Sequence, residues 1–215
     1  MTPRRGFFLL LLATSPVWAG DTALVMLLQG RVTRASQPVP EAVEAFVKLR
    51  QGDVLTLDKD ARLQVVYFEN GRQETWGGGG KLKVGAAASK TISLPAPRVK
   101  QLPMVMTKQL AHTPALDSQG RSGALRLREA DPGAVPESRG EALAEVEGNY
   151  LRLKAEAPPD DLGPEAYRLA ALFELEQWRK VEQAVAELQR DRAANPAAQR
   201  LAALYLGALK DARDW

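Results

Sequence analysis

Apolar residues alternate with period two through the first half of the chain and recur every three or four residues through the second. Residues 23 to 32 (ALVMLLQGRV) are apolar up to a turn at Gly30, the pattern of a buried strand running past a bend. Pro38 and Pro40 mark a loop, and Glu41 to Arg50 has an ambiguous pattern, one reading of which is a short helix leading into a strand at Phe46 to Leu49. Gly52-Asp53 makes the turn into a strand at Val54 to Leu57, and Asp58 to Asp60 makes the next turn. Arg62 to Phe68 is the clearest strand. Leu63, Val65 and Tyr67 fall on one face, with Val66 and Phe68 on the other. A strand apolar on both faces belongs in the middle of a covered sheet. Asn70-Gly71 signals a two-residue type I′ hairpin, which needs positive φ at both positions, and Arg72 to Trp76 returns as the partner strand. Leu82 and Val84 alternate with Lys81 and Lys83 as a half-buried strand, and Ile92 with Leu94 suggests one more. Residues 95 to 103 form a Pro-marked connection. Several short strands at this spacing predict a small sandwich or barrel.

Pro103 sits at the first turn of a short helix, Met104 to Ala111. Leu125 and Leu127 alternate with Arg126 and Arg128, a last strand candidate, before a linker at Asp131, Pro132, Gly133 and Pro136. The period then changes. Ala142, Val146, Tyr150 and Leu153 predict an amphipathic helix to about Ala155, which Pro158 and Pro159 stop. Pro164 opens a second helix through Tyr167, Ala170, Ala171 and Phe173. Val181, Ala184, Val185 and Leu188 mark a third, ended by Asn195-Pro196, and Leu201, Leu204, Tyr205 and Ala208 a fourth. The fold class is α+β, strands first and helices after. A β-domain spans residues 20–130 with its short helix near 103–111, and a helical region spans 131–215.

Residues 1–19 change this picture only by standing outside it. Arg4 and Arg5, the apolar run Phe7 to Ala13, and Val17-Trp18-Ala19 before Gly20 have the form of a cleaved secretory signal, with an uncleaved anchor as the competing reading. That run is too short for a bilayer span, which takes about 20 residues. The chain has no cysteine, so a lipid-anchored cysteine, disulfides and thiolate metal sites are excluded. The expected location is the periplasm. The formal charge of +3 includes Arg4 and Arg5, which leaves the remainder near +1 and gives no argument for nucleic acid.

Candidate chemistry is sparse. His112 is the only histidine, and Asp117 and Glu129 stand at no metal-ligand spacing from it, so it reads as a surface or capping residue. Ser118, the nearest serine, lies in no nucleophile elbow. Gly77 to Gly80 lacks the Lys-Ser/Thr ending of a phosphate loop and runs into an alternating strand at Lys81. Asp160-Asp161 before Pro164 reads as helix N-terminal charge. Arg121, Arg126 and Arg128 read as a solvated strand face. The one constellation with binding potential is Tyr67, Arg72, Glu74 and Trp76. Displayed on a strand face, these residues offer charge and an aromatic platform for a sugar ring or a peptide; the competing reading puts Trp76 at the edge of the core. No catalytic set, cofactor or metal is expected.

The Gly52-Asp53 turn with Val54 and Leu55, the strand Leu63 to Phe68, Asn70-Gly71, and Leu82 with Val84 together resemble the extracytoplasmic β-domain of FecR-family proteins, over roughly residues 23 to 94. The resemblance implies a domain that takes part in envelope signalling or surface binding. A cytoplasmic anti-sigma segment and an internal membrane span are missing here, so the match is to a free-standing exported member of that family. Residues 164 to 208, through Ala171, Phe173, Ala184 and Pro196, resemble tetratricopeptide-type helical hairpins, with an ordinary helical hairpin on the β-module as the other reading. The function expected is a non-catalytic periplasmic interaction protein (sensor, adaptor or scaffold) with an envelope protein as partner. The alternative is a module binding cell-wall glycan or another carbohydrate.

Overall fold

A computed structural model describes residues 20–114 and 136–213. Ten strands come first: β1 (Asp21–Gln29), β2 (Val32–Arg34), β3 (Glu41–Ala42), β4 (Lys48–Arg50), β5 (Val54–Leu57), β6 (Arg62–Tyr67), β7 (Arg72–Gly77), β8 (Gly80–Lys83), β9 (Lys90–Thr91) and β10 (Arg98–Gln101). Five helices follow: α1 (Met104–Ala111), α2 (Pro136–Glu156), α3 (Gly163–Glu174), α4 (Trp178–Asp191) and α5 (Pro196–Arg213). The layout is α+β, with the strands in two antiparallel five-stranded sheets ordered β10-β7-β6-β1-β4 and β3-β2-β5-β8-β9.

Period-two patterning in β1 and β6 explains how the layers stack. Ala23, Val25, Leu63, Val65 and Tyr67 point inward, where they meet Val32, Leu55, Leu57, Leu82 and Val84 of the second sheet in one core. The residues between them, Leu24, Met26 and Val66, point the other way into a second core shared with the helices. β1 and β6 therefore carry apolar residues on both faces because the first sheet is the middle of three layers, as a central covered strand requires. The chain moves between sheets at glycine corners. Gly30 adopts φ 74°, and a side chain there would come within 2.9 Å of the Ala61 Cα. Gly52, at φ 101°, forms the expected turn, with Asp53 Oδ2 accepting from the Arg50 N–H at 2.9 Å.

Three expectations are corrected. Residues 41 to 50 hold no helix. The two-residue β3 pairs with β2, and the chain turns at Ala45-Phe46 before β4. Phe46 takes φ 62°, donates its N–H to Val25 O at 2.7 Å and buries its ring under the helices. A buried apolar run of this length satisfies helical and turn patterns equally until the helices above it are in place. Asn70-Gly71 does not form a type I′ turn, since Gly71 has positive φ (69°) and Asn70 does not. Instead Asn70 Oδ1 accepts from the Arg72 N–H at 2.9 Å, closing a longer loop. Residues 95 to 103 contain a strand, β10, which pairs with β7 along Arg98↔Thr75 to Gln101↔Arg72. All four of its side chains are exposed, so no burial pattern marks it. Ile92 lies just beyond β9 and is exposed, whereas Leu94 is buried. The strand expected at Leu125 and Leu127 and the linker at Asp131 to Gly133 lie outside the described residues, as do residues 1–19.

The helical expectations hold closely: α1 begins at Met104, and α2 to α5 fall where the 3.6-residue spacing put them. Successive helices pack on one another from α2 to α5, and α1 packs on α3 and β1. Polar ties cross between the layers as well. Arg200 Nε on α5 donates to Ala45 O at 2.8 Å and its guanidinium pairs with Glu44. Lys48 Nζ on β4 donates to Ala111 O at 2.9 Å, and burial holds that ammonium below its usual value.

Candidate functional site

Tyr67, Arg72, Glu74 and Trp76 do come together, but inside the protein. Arg72, Glu74 and Trp76 alternate on β7 and so share the face that looks into the sandwich. Trp76 is 2 % exposed, while Glu74 and Tyr67 are at 0 %. Glu74 is a buried hub: it accepts from Arg72 Nε at 2.7 Å, from Trp76 Nε1 at 3.1 Å and from the Ser89 N–H at 3.2 Å. Tyr67 Oη lies 2.5 Å from Ser89 Oγ. A buried carboxylate is tolerated only when paired and hydrogen-bonded, and here every partner is present. The expectation of a displayed aromatic face is therefore corrected. The rings pack in the core, and only the Arg72 guanidinium is partly open to solvent. No stacking platform for a sugar exists at these residues, because both aromatic faces are covered by the second sheet and its loops.

This cluster has a pH signature. Burial pushes the Tyr67 phenol up to about 12 from an ordinary 10.0, with the Ser89 hydrogen bond acting in the opposite direction. Because the folded value is raised, the neutral phenol's stabilisation is whole below pH 10 and is lost as pH rises through about 12. Burial also raises Tyr205, which is fully enclosed and packs edge-on against Phe173. Alkaline denaturation is expected to steepen above pH 10, and Tyr67→Phe is expected to flatten that limb by on the order of 2 kcal/mol. Denaturant midpoints measured across this pH range check it. A Tyr67→Phe profile that overlays the parent profile would contradict the assignment.

The other rejected features occupy plain positions. His112 Nδ1 sits 3.3 Å from Glu174 Oε2, both half-exposed. Asp161 Oδ1 accepts from the Gly163 N–H at 2.8 Å, at the start of α3. Gly77 to Gly80 is the corner between β7 and β8. Among the described residues no group of three His, Asp or Glu side chains is placed to hold a metal ion.

The concave feature lies in the helical layer. α3 forms the floor of a shallow cleft, and α2 and α4 form its walls. Every residue of α3 from Gly163 to Phe173 is buried except Arg168, which is half-buried. A helix buried nearly all round must pair whatever charge it carries. Arg168 does so: Nε reaches Glu147 at 3.0 Å, Nη1 reaches Glu187 at 2.7 Å, and the guanidinium lies 4.7 Å from the centre of the Tyr150 ring. Burial works against the Arg168 charge, and these bonds more than offset it, holding the group above its ordinary value. The Arg168 hydrogen bond in turn holds Glu187 below the usual carboxylate range. Lys154 donates to Tyr150 Oη at 2.8 Å, which raises the ammonium.

Glu165 is different. It is 8 % exposed, its Oε1 stands 3.7 Å from Lys154 and 3.9 Å from Arg192, and its Oε2 has no hydrogen-bond partner. The cleft thus has an aromatic and guanidinium face at Tyr150 and Arg168, apolar side chains at Leu169, Ala184 and Leu188, and an under-satisfied carboxylate, Glu165, near Lys154 and Arg192. Groups of both signs and both hydrogen-bonding senses converge there, which suits the alternating N–H and C=O groups of a peptide better than a single ion. Reading the sequence missed these residues. The available signal was the pair Glu165 and Arg168 within an otherwise apolar helix (GPEAYRLAALF), with Tyr150 and Lys154 one turn apart on α2.

Comparison of the chain with protein-family models, with curated proteins and with solved structures finds no match.

Proposed function

We propose that this chain is an exported, non-catalytic interaction protein of the cell envelope, in which the α2–α3–α4 cleft receives a peptide segment of a protein partner. The carrying observation is Glu165: a nearly buried carboxylate with one oxygen that lacks a hydrogen-bond partner, in a charged cleft beside the Tyr150–Arg168 pair. A buried acceptor without a donor is costly, and the cations beside it, Lys154 and Arg192, are the charged groups that a bound segment meets at the cleft surface. Export is supported by the basic, then apolar, then small-residue order of residues 2 to 20. The FecR-like reading of the β-module and the tetratricopeptide-like reading of the helices agree with such a role, since helical hairpins commonly offer grooves to peptides. In this proposal the sandwich is a rigid base, tied to the helices through Arg200 and Lys48.

Selection from a random peptide display library tests the reading. The rim pair Lys154→Ala with Asp191→Ala removes one charge of each sign and leaves the Arg168 network intact. An enriched consensus is expected that loses at least about tenfold in affinity for this double variant, the effect of about 1.4 kcal/mol. No enrichment, or equal affinity for parent and variant, would refute the cleft as the binding site.

A further inference from the structure

The two faces of the sandwich are treated differently. The outer face of the β10-β7-β6-β1-β4 sheet is covered by helices, whereas none of the described helices packs on the outer face of the β3-β2-β5-β8-β9 sheet. Inward residues Leu55, Leu57, Leu82 and Val84 leave Val54, Thr56, Lys81 and Lys83 facing out. Pairing extends the pattern across strands: Lys83 stands opposite Val54 on one side and Lys90 on the other, and Lys81 opposite Thr56. Ile92, two residues on from Lys90 and 57 % exposed, follows beside Lys81. Three lysines and one isoleucine therefore share a surface that no other element covers among the described residues.

We infer that this face of β5, β8 and β9 docks on an anionic phospholipid surface through Lys81, Lys83 and Lys90, with Ile92 among them. Charge complementarity carries the inference. Lys83 and Lys90 are directly opposed like charges, an arrangement that destabilises a sheet. None of the three has a carboxylate within salt-bridge distance among the described residues. Lysine on an edge strand guards against strand pairing, but β8 lies between β5 and β9, so Lys81 and Lys83 guard no edge. The charges are also spread along one sheet face, about 5 Å apart across strands and about 7 Å along them, rather than gathered around one point. A plane of headgroups matches that spacing, and an exposed apolar side chain among lysines is the composition of an interfacial contact. The surface is separate from the cleft and does not depend on it.

Co-sedimentation with vesicles of phosphatidylglycerol and phosphatidylcholine, against phosphatidylcholine alone, tests the inference. The chain from Gly20 is used, since every described element lies within residues 20–213. Each lysine at an anionic surface is worth about fivefold in partitioning, so Lys81→Gln, Lys83→Gln and Lys90→Gln together are expected to weaken binding about 100-fold. Binding of the parent is expected to fall with added salt. A variant that removes three charges elsewhere, Arg98→Gln, Lys100→Gln and Lys108→Gln, is expected to keep most of the binding, as is the cleft variant Lys154→Ala with Asp191→Ala. Thermal melts of all variants establish that they fold. No binding of the parent to the anionic vesicles, equal loss in the two triple variants, or binding to a soluble acidic polysaccharide in place of vesicles would overturn the proposal.

Discussion

Glu74→Ala is expected to cost about 3–5 kcal/mol of folding stability, the range for removing one member of a buried charged pair. The substitution strands three donors at once: Arg72 Nε, Trp76 Nε1 and the Ser89 N–H. Trp76 Nε1, within the core, has no water to turn to, so the loss exceeds the net worth of the bonds themselves. Glu74→Gln keeps one acceptor oxygen and should fall between the parent and the alanine variant. Urea unfolding followed by tryptophan fluorescence measures the effect, read as a shift of midpoint at constant slope. A loss under about 1 kcal/mol would mean that the cluster is open to water, and would restore the displayed aromatic face as a candidate binding surface.

Phe46→Ala is expected to destabilise the sandwich and the helical layer together, again by about 3–5 kcal/mol. Phe46 belongs to the turn between β3 and β4, yet its ring lies in the core formed by α1 to α5 with Leu24, Met26 and Val66. Its backbone sits at φ 62°, a conformation an aromatic residue holds only when its surroundings fix it. The helices do this: Arg200 grips Ala45 O and Glu44 on the same turn. Two internal reporters separate the outcomes, since Trp76 lies in the sandwich core and Trp178 packs on Phe173 in the helical layer, with ring centres 5.0 Å apart. Single-tryptophan variants are expected to report coincident transitions, both moved by Phe46→Ala. A shift in the Trp178 transition alone would show that the layers unfold independently.

Much of this architecture was legible along the chain, and the reasons differ by element. β6 and β1 were readable because burial on both faces writes an unbroken apolar run. α2 to α5 were readable because prolines at 158, 159, 164 and 196 punctuate a 3.6-residue pattern. β10 was not, since an edge strand with four exposed side chains carries no apolar period. The Ala45-Phe46 turn was not, because its conformation is imposed by Arg200, 155 residues away in sequence from Ala45. The site divides in the same manner. Alternation placed Arg72, Glu74 and Trp76 correctly on one face of β7, but no local pattern states which face of a strand a second sheet will cover. The cleft residues come from three helices and converge only in the fold.

The most direct test of the cleft is a photo-crosslinking side chain placed at position 191, on the rim, and separately at position 98, on the exposed edge strand β10. The protein is expressed in a Gram-negative envelope and irradiated. A discrete protein adduct is expected from position 191, absent from position 98 and abolished by Lys154→Ala. Adducts of equal yield from both positions, or adducts only with wall glycan, would contradict a peptide-receiving cleft between α2 and α4.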